Sequence, residues 1–137
     1  MRVIVDTNVV LDVLLARRPF VDAAAKVFAL IEQSQIEGLL CATTITTVDY
    51  LLAQSLSRSQ GREALRRLLE LFEIAPVNRP VIEEAFRSRI ADFEDAVLEQ
   101  SGRLAGADAI VTRNTRDFHN SALKALGPDE LLAAIRE

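Results

Sequence analysis

Histidine and cysteine are almost missing from this 137-residue chain, each occurring once, as His119 and Cys41. A lone cysteine excludes an intramolecular disulfide and a cysteine-based zinc site. Cys41 lies in the apolar stretch Leu39-Leu40-Cys41-Ala42 and reads as a small buried hydrophobe. A lone histidine argues against a Ser-His-Asp hydrolase and a two-histidine zinc enzyme, and His119 reads as exposed. An excess of basic residues is missing too: 16 Lys and Arg stand against 20 Asp and Glu, a formal net charge of −4. Nucleic acid held by general electrostatic attraction is therefore not expected, although a bound cation would reverse the field locally. No apolar run reaches the roughly 18 residues needed to span a membrane. The apolar start, Val3 to Leu15, is interrupted by Asp6 and Asp12 and is followed by no small-residue cleavage site, unlike a secretory leader. The expected location is the cytoplasm.

What is present describes one globular domain. Half the residues are hydrophobic and 26% are charged, too apolar a mixture for a disordered chain. No internal repeat, low-complexity tract or linker divides it, so residues 1–137 are expected to form a single unit. Val3-Ile4-Val5 predicts a buried strand, and Thr7 or Asn8 is the expected cap of a helix over Val9 to Ala16. Asp22 is expected to cap a second helix, which Gly38 ends. Leu39 to Ala42 predicts the next strand, and Thr43-Thr44 leads into a helix carrying Val48, Leu51 and Leu52. Gly61 reads as a break before an amphipathic helix with Leu65, Leu68, Leu69 and Phe72.

Further on, Ile74 to Val77 reads as a weak strand, with Pro76 implying a place where a missing donor is tolerated. Pro80 starts a helix running to Ile90, Asp92 opens another, Ala109-Ile110-Val111 is a strand, and Leu123 to Leu126 is a short one. A terminal helix follows from Asp129. Helices between successive strands predict an α/β fold, a central mostly parallel sheet covered on both faces.

Ligand sites in such folds lie beyond the carboxyl ends of the strands. Asp6 follows the first strand, and Asn114 and Asp117 follow the Ile110-Val111 strand. Asp95, near the start of its helix, can join them, and Asp49 can project from the helix after the second strand. Clustered carboxylates raise one another's pKa, and a hard cation such as Mg2+ or Mn2+ relieves that repulsion with oxygen ligands. Such an ion activates water and stabilises charge on a phosphodiester. Each acid taken alone is more often an ordinary helix cap or turn former than a catalytic group. Arg113, Arg116, Arg17 and Arg18 have a double reading too, as phosphate contacts or as charge balance. Asp12 is conspicuous in an apolar helix and reads as ion-paired or solvated, Asp92 as a cap, and Glu94 as facing solvent.

Three ordered motifs carry a family resemblance over nearly the whole chain. Val3 to Asp12, with its Asp6-Thr7-Asn8, resembles the opening signature of PIN domains. Asp92-Phe93-Glu94-Asp95-Ala96 resembles the family's central acidic motif, and Ala107 to Phe118 its C-terminal one. The resemblance implies a PIN-like domain and metal-dependent hydrolysis of RNA, since many members are ribonuclease toxins of bacterial toxin–antitoxin pairs. It implies Asp6 and Asp95 as metal ligands with Asp117 third, Thr112 and Asn114 as groups positioning ligands or water, an antitoxin partner and a homodimer. One departure is visible: where PIN nucleases commonly carry Glu in the helix after strand two, the nearest acid here is Asp49. That departure motivates the alternative of a catalytically weak PIN fold that binds RNA or protein. Phosphate chemistry on another doubly wound fold is disfavoured. Neither Lys26 nor Lys124, the two lysines, follows a clear strand end, and Asn8 stands where a dehalogenase-type phosphatase needs a second Asp.

Overall fold

The computed structural model describes residues 1–136, leaving Glu137, the last residue of the expected 1–137 unit, outside the described residues. Five strands, β1 (Arg2–Val5), β2 (Glu37–Cys41), β3 (Glu73–Ala75), β4 (Ala109–Val111) and β5 (Lys124–Leu126), form one sheet in the order β3-β2-β1-β4-β5. Every neighbouring pair is parallel. The connections therefore cross over through helices: α1 (Thr7–Leu14), α2 (Val21–Glu32), α3 (Ala42–Leu52), α4 (Arg58–Leu71), α5 (Arg79–Phe86) and α6 (Phe93–Leu104). A 3-10 turn at Thr115–Phe118 joins β4 to β5, and α7 (Pro128–Arg136) follows.

The strands read as continuous apolar runs because both faces of the sheet are covered. Alternation sends Val3, Val5, Leu40, Ala109 and Val111 to one face, where they pack with residues of α1, α2, α3, α4 and α7. Ile4, Leu39, Cys41 and Ile110 go to the other, against α5 and α6. On that side α6 lies close enough to β1 that a Cβ on Gly102 would come within 2.8 Å of Ile4 Cγ2. No helix is long and apolar enough to cross a membrane among the described residues.

Several boundaries differ from the sequence expectation. Asp6, not Thr7 or Asn8, caps α1, its carboxylate accepting from the Thr7 N–H. Phe20 occupies the cap position of α2, and Asp22 lies in its first turn. Gly38 belongs to β2 and ends no helix; a Cβ there would meet Ile31 and Phe72 within 2.8 Å, so small size is what the position needs. Gly61 lies inside α4, whose start is set instead by the Ser57–Gln60 capping box. Pro76 falls just past β3, at the sheet edge, where its missing donor breaks no ladder bond. The α5 helix ends at Phe86, so Ile90 lies in the following loop.

Asp12, conspicuous in the sequence, is fully buried and ion-paired. It takes the Arg17 Nε at 2.9 Å and the Arg113 Nε and Nη2 at 2.6 and 3.2 Å. Arg113 also lies over the Phe20 ring, its guanidinium carbon 3.9 Å from the centroid. This pairing ties α1 to the segment that leaves β4. Removing one member of a buried pair strands the other charges, a loss of about 3 kcal/mol. Asp12→Ala is expected to lower the unfolding free energy in urea by about that amount, and a change under about 1 kcal/mol would contradict the bracing role.

Candidate active site

The strand order reverses between β1 and β4: β1 is followed leftward by β2, whereas β4 and β5 extend the sheet rightward. Crossovers leaving a sheet in opposite directions open a crevice at the strand ends, the usual ligand position in this architecture. Val5 and Val111 are register partners, so β1 and β4 end side by side. The residues just beyond them are Asp6 and Thr112. The Asp6 N–H donates to the Val111 carbonyl at 2.9 Å, and the Thr112 hydroxyl donates to Asp6 Oδ2 at 2.8 Å. Asp6 Oδ1 accepts from the Thr7 N–H at 2.8 Å. Asn8 closes the arrangement, with its Nδ2 3.5 Å from both Asp6 Oδ2 and Thr112 Oγ1 and its Oδ1 accepting from the Arg113 N–H at 3.3 Å. Thr112 Oγ1 also accepts from the Asn114 N–H at 3.0 Å.

The remaining acids come from two later elements. Asp95 sits in the first turn of α6, where the Asp92 carboxylate caps the helix by accepting from the Asp95 N–H at 3.0 Å. Asp117 rides on the 3-10 turn after β4, held by the buried Phe118 next to it. Burial is the largest influence on Asp6 and raises its pKa, with Glu94 and Asp117 adding to the rise and the bonds from Thr112 and Thr7 opposing it. For Asp95, burial comes first again, joined by the carboxylates of Asp6, Asp92, Asp117 and Glu94; together they push it from 3.8 up to about 7. Asp6, Asp95 and Asp117 thus sense one another across three separate elements.

Asp49 is not brought into this group. Thr43 and Thr47 share one face of α3: the Thr47 hydroxyl donates to the Thr43 carbonyl at 3.1 Å, and Glu94 Oε1 lies 3.5 Å from the same hydroxyl. Two residues further is about 200° around the helix, so Asp49 turns toward α4 and accepts from Arg62 Nε at 3.0 Å. The fourth acid that acts on Asp6 and Asp95 is instead Glu94, which is exposed, as the sequence predicts, yet close enough to raise both. Its nearness has no local signature, because it depends on how α6 lies against α3. Arg113, considered for phosphate contact, is committed to Asp12, and Arg17 likewise. Asn114 is exposed, and its backbone N–H rather than its side chain makes the bond to Thr112.

The donor set of Asp6, Asp95, Asp117 and Glu94 is all oxygen and all anionic, with no nitrogen or sulfur ligand, which fits a hard divalent cation. Among the described residues, no group of three His, Cys, Asp or Glu side chains stands close enough to hold an ion as placed. The carboxylates have a measurable cost when no cation compensates them. Unfolded Asp95 ionises near 3.8, whereas folded Asp95 keeps its proton to about 7. Between those values the folded state binds more protons, so stability falls as pH rises and the whole penalty is present above the folded pKa. Asp95→Asn removes it. In metal-free protein the substitution is expected to raise Tm by roughly 2–5 °C at pH 8 and by less at pH 5, allowing for solvent screening. Equal shifts at the two pH values would contradict the charge crowding.

A family model described as the PIN domain matches residues 2–116. No curated protein sequence matches the chain. Similar solved structures include VapBC2 from Rickettsia felis bound to a promoter DNA fragment, 16% identical with a TM-score of 0.75, over 93% of this chain and 98% of that one. FitAcB from Neisseria gonorrhoeae is 20% identical with a TM-score of 0.70, over 92% of this chain and 97% of that one. VapC20 of Mycobacterium tuberculosis, a toxin that cleaves the sarcin-ricin loop, is 16% identical with a TM-score of 0.62, over 79% and 86%. At these identities the structural likeness is one of fold. The family model, however, spans most of the chain and includes the first two acidic motifs and the third as far as Arg116, and the chain belongs to the PIN-domain family.

Proposed function

We propose that this chain is an endoribonuclease dependent on Mg2+ or Mn2+, acting as the toxin of a toxin–antitoxin pair in the cytoplasm. The observation that carries the proposal is the meeting of Asp6, from the end of β1, with Asp95 from α6 at the point where the strand order reverses. Asp6, Asp95 and Asp117 hold the metal in this assignment, and Thr112 and Asn114 keep their side of the crevice in place. A metal bound there supplies Lewis-acid activation of water and of the phosphodiester. The protein's own contribution is orientation. Thr112 and the Thr7 N–H together fix both oxygens of Asp6, and the Asp92 cap fixes the first turn of α6 that presents Asp95. Hydrolysis then forms one P–O bond from water and breaks the P–O bond to the leaving oxygen, which takes up a proton.

Support for the biological setting comes from the relatives. A toxin–antitoxin complex from Klebsiella pneumoniae has the same fold, and VapC20 is a toxin that cleaves the sarcin-ricin loop. An antitoxin protein is accordingly the proposed partner, RNA the proposed substrate, and a homodimer the proposed assembly of the single 1–137 domain. Asp49's position outside the cluster favours a second possibility, a PIN fold that binds RNA or protein without turnover.

The two separate in one experiment. Purified protein is incubated with structured and single-stranded RNAs in Mn2+, Mg2+ or chelator. Metal-dependent cutting is expected, reduced at least about 100-fold by Asp6→Asn and changed less than about threefold by Asp49→Asn. Binding without cutting by the folded wild type would select the second possibility. Cutting that survives Asp6→Asn would remove Asp6 from the metal site.

A further inference from the structure

Beside the acidic cluster runs a cleft of about 500 Å3 with two walls. One wall is the 89–95 segment leading into α6, with Arg89, Asp92 and Asp95; the other carries Arg116, Asp117, His119 and Asn120. Nine of the fourteen arginines are paired with carboxylates, among them Arg17 and Arg113 with Asp12 and Arg103 with Glu84. Arg89 and Arg116 are exposed, and among the described residues neither forms an ion pair. Two uncommitted guanidiniums therefore line the cleft together with the carboxylates of Asp92, Asp95 and Asp117.

The walls are braced from behind by Glu99, a buried carboxylate that the metal cluster does not use. Its Oε1 accepts from the Ser88 hydroxyl at 2.6 Å and from Gln100 Nε2 at 2.7 Å, and its Oε2 accepts from the Ala122 N–H at 2.8 Å. Burial alone would raise its pKa, but these bonds outweigh burial and hold it below the ordinary carboxylate value. One charged group thus pins the residue before Arg89 and the segment after His119, so both walls keep a fixed separation. Next to the first wall, Phe86 and Phe93 pack with centroids 5.0 Å apart and planes tilted by 39°, and remain 74% and 46% exposed. Bare aromatic faces suit unpaired bases, whereas a duplex offers none.

The geometry points to Arg89 and Arg116 as the groups that hold the phosphates on either side of the scissile one, with a neighbouring unpaired base of a single strand on the Phe86–Phe93 pair. This assignment rests on the ribonuclease reading and adds the groups that grip the substrate. The charge logic is consistent: two guanidiniums offset local repulsion between an acidic site and a polyanion, in a protein whose net charge is negative.

The test measures binding of a labelled single-stranded RNA panel, and of the same sequences as duplexes, in Ca2+ over a range of salt, with RNA integrity checked on gels. Arg89→Gln and Arg116→Gln are each expected to weaken single-strand binding about tenfold and to lower the salt slope by about 0.7. Arg89→Lys keeps most of the slope, Phe86→Ala weakens single-strand binding alone, and Arg67→Gln on the distant α4 changes affinity less than about twofold. Mn2+ affinity, read by calorimetry, stays the same in all of them. Unchanged affinity and slope in the two Gln variants, with wild-type RNA binding and cutting intact, would overturn the clamp and leave the nuclease standing. Equal or tighter duplex binding would overturn the single-strand assignment. Clamp-dependent binding without cutting in Mn2+ would support the clamp and remove the nuclease, and a wild type that binds no RNA in the panel would overturn both.

Discussion

The register of β1 against β4 is the constraint on which the rest of the molecule turns. Val5 pairs with Val111, so the two central strands end together, and the next residue on each is polar. Asp6 and Thr112 meet there through a 2.8 Å bond that neither could make if the strands slipped by one residue, since a slip also moves Val3 and Val5 off their buried face. Hydrophobic packing on two faces thereby places a polar contact on the third side, at the sheet's open end. The same junction is where the topology reverses, so α1 leaves in one direction and the Thr115–Phe118 turn in the other, giving the acids room to face each other.

Two buried carboxylates hold what this register begins. Asp12 anchors Arg113, and with it the start of the segment that carries Asn114 and Asp117. Glu99 anchors the loop before α6 and the segment after His119. Both are satisfied by several partners, and among the described residues no buried side-chain polar atom lacks a hydrogen bond. Against that background Asp6 and Asp95 stand apart. Burial first, and the neighbouring carboxylates after it, raise both pKa values, a cost that a divalent cation would offset.

Much of this was legible in the sequence, and the residues that were not share a reason. The short apolar runs at Val3-Ile4-Val5 and Ala109-Ile110-Val111 declared buried parallel strands, and the acids after them declared the crevice. Asp92 as the cap of α6 and Pro76 at an edge followed from local chemistry. Gly38 marks close approach rather than a helix end, the crowding coming from Ile31 and from Phe72, which is distant in sequence. At Gly61 a Cβ would meet only Leu52 at 3.7 Å, and the Ser57–Gln60 capping box sets the helix start. Asp49, Glu94, Arg89 and Glu99 depend on how one helix is rotated against another. A motif places a residue on a helix, but only the packed neighbour decides which side it serves. Asp49 met Arg62, and Glu94 met Thr47.

The claim that these carboxylates form a cation site is tested most directly by calorimetric titration with Mn2+ near pH 7 in buffers of differing ionisation enthalpy. Because Asp95 titrates at about 7, Mn2+ binding is predicted to expel on the order of half a proton there, falling toward zero above about pH 8.5. Asp95→Asn is predicted to weaken binding and abolish the proton release. Absence of Mn2+ binding, or binding whose affinity and proton release are untouched by Asp95→Asn, would contradict the account.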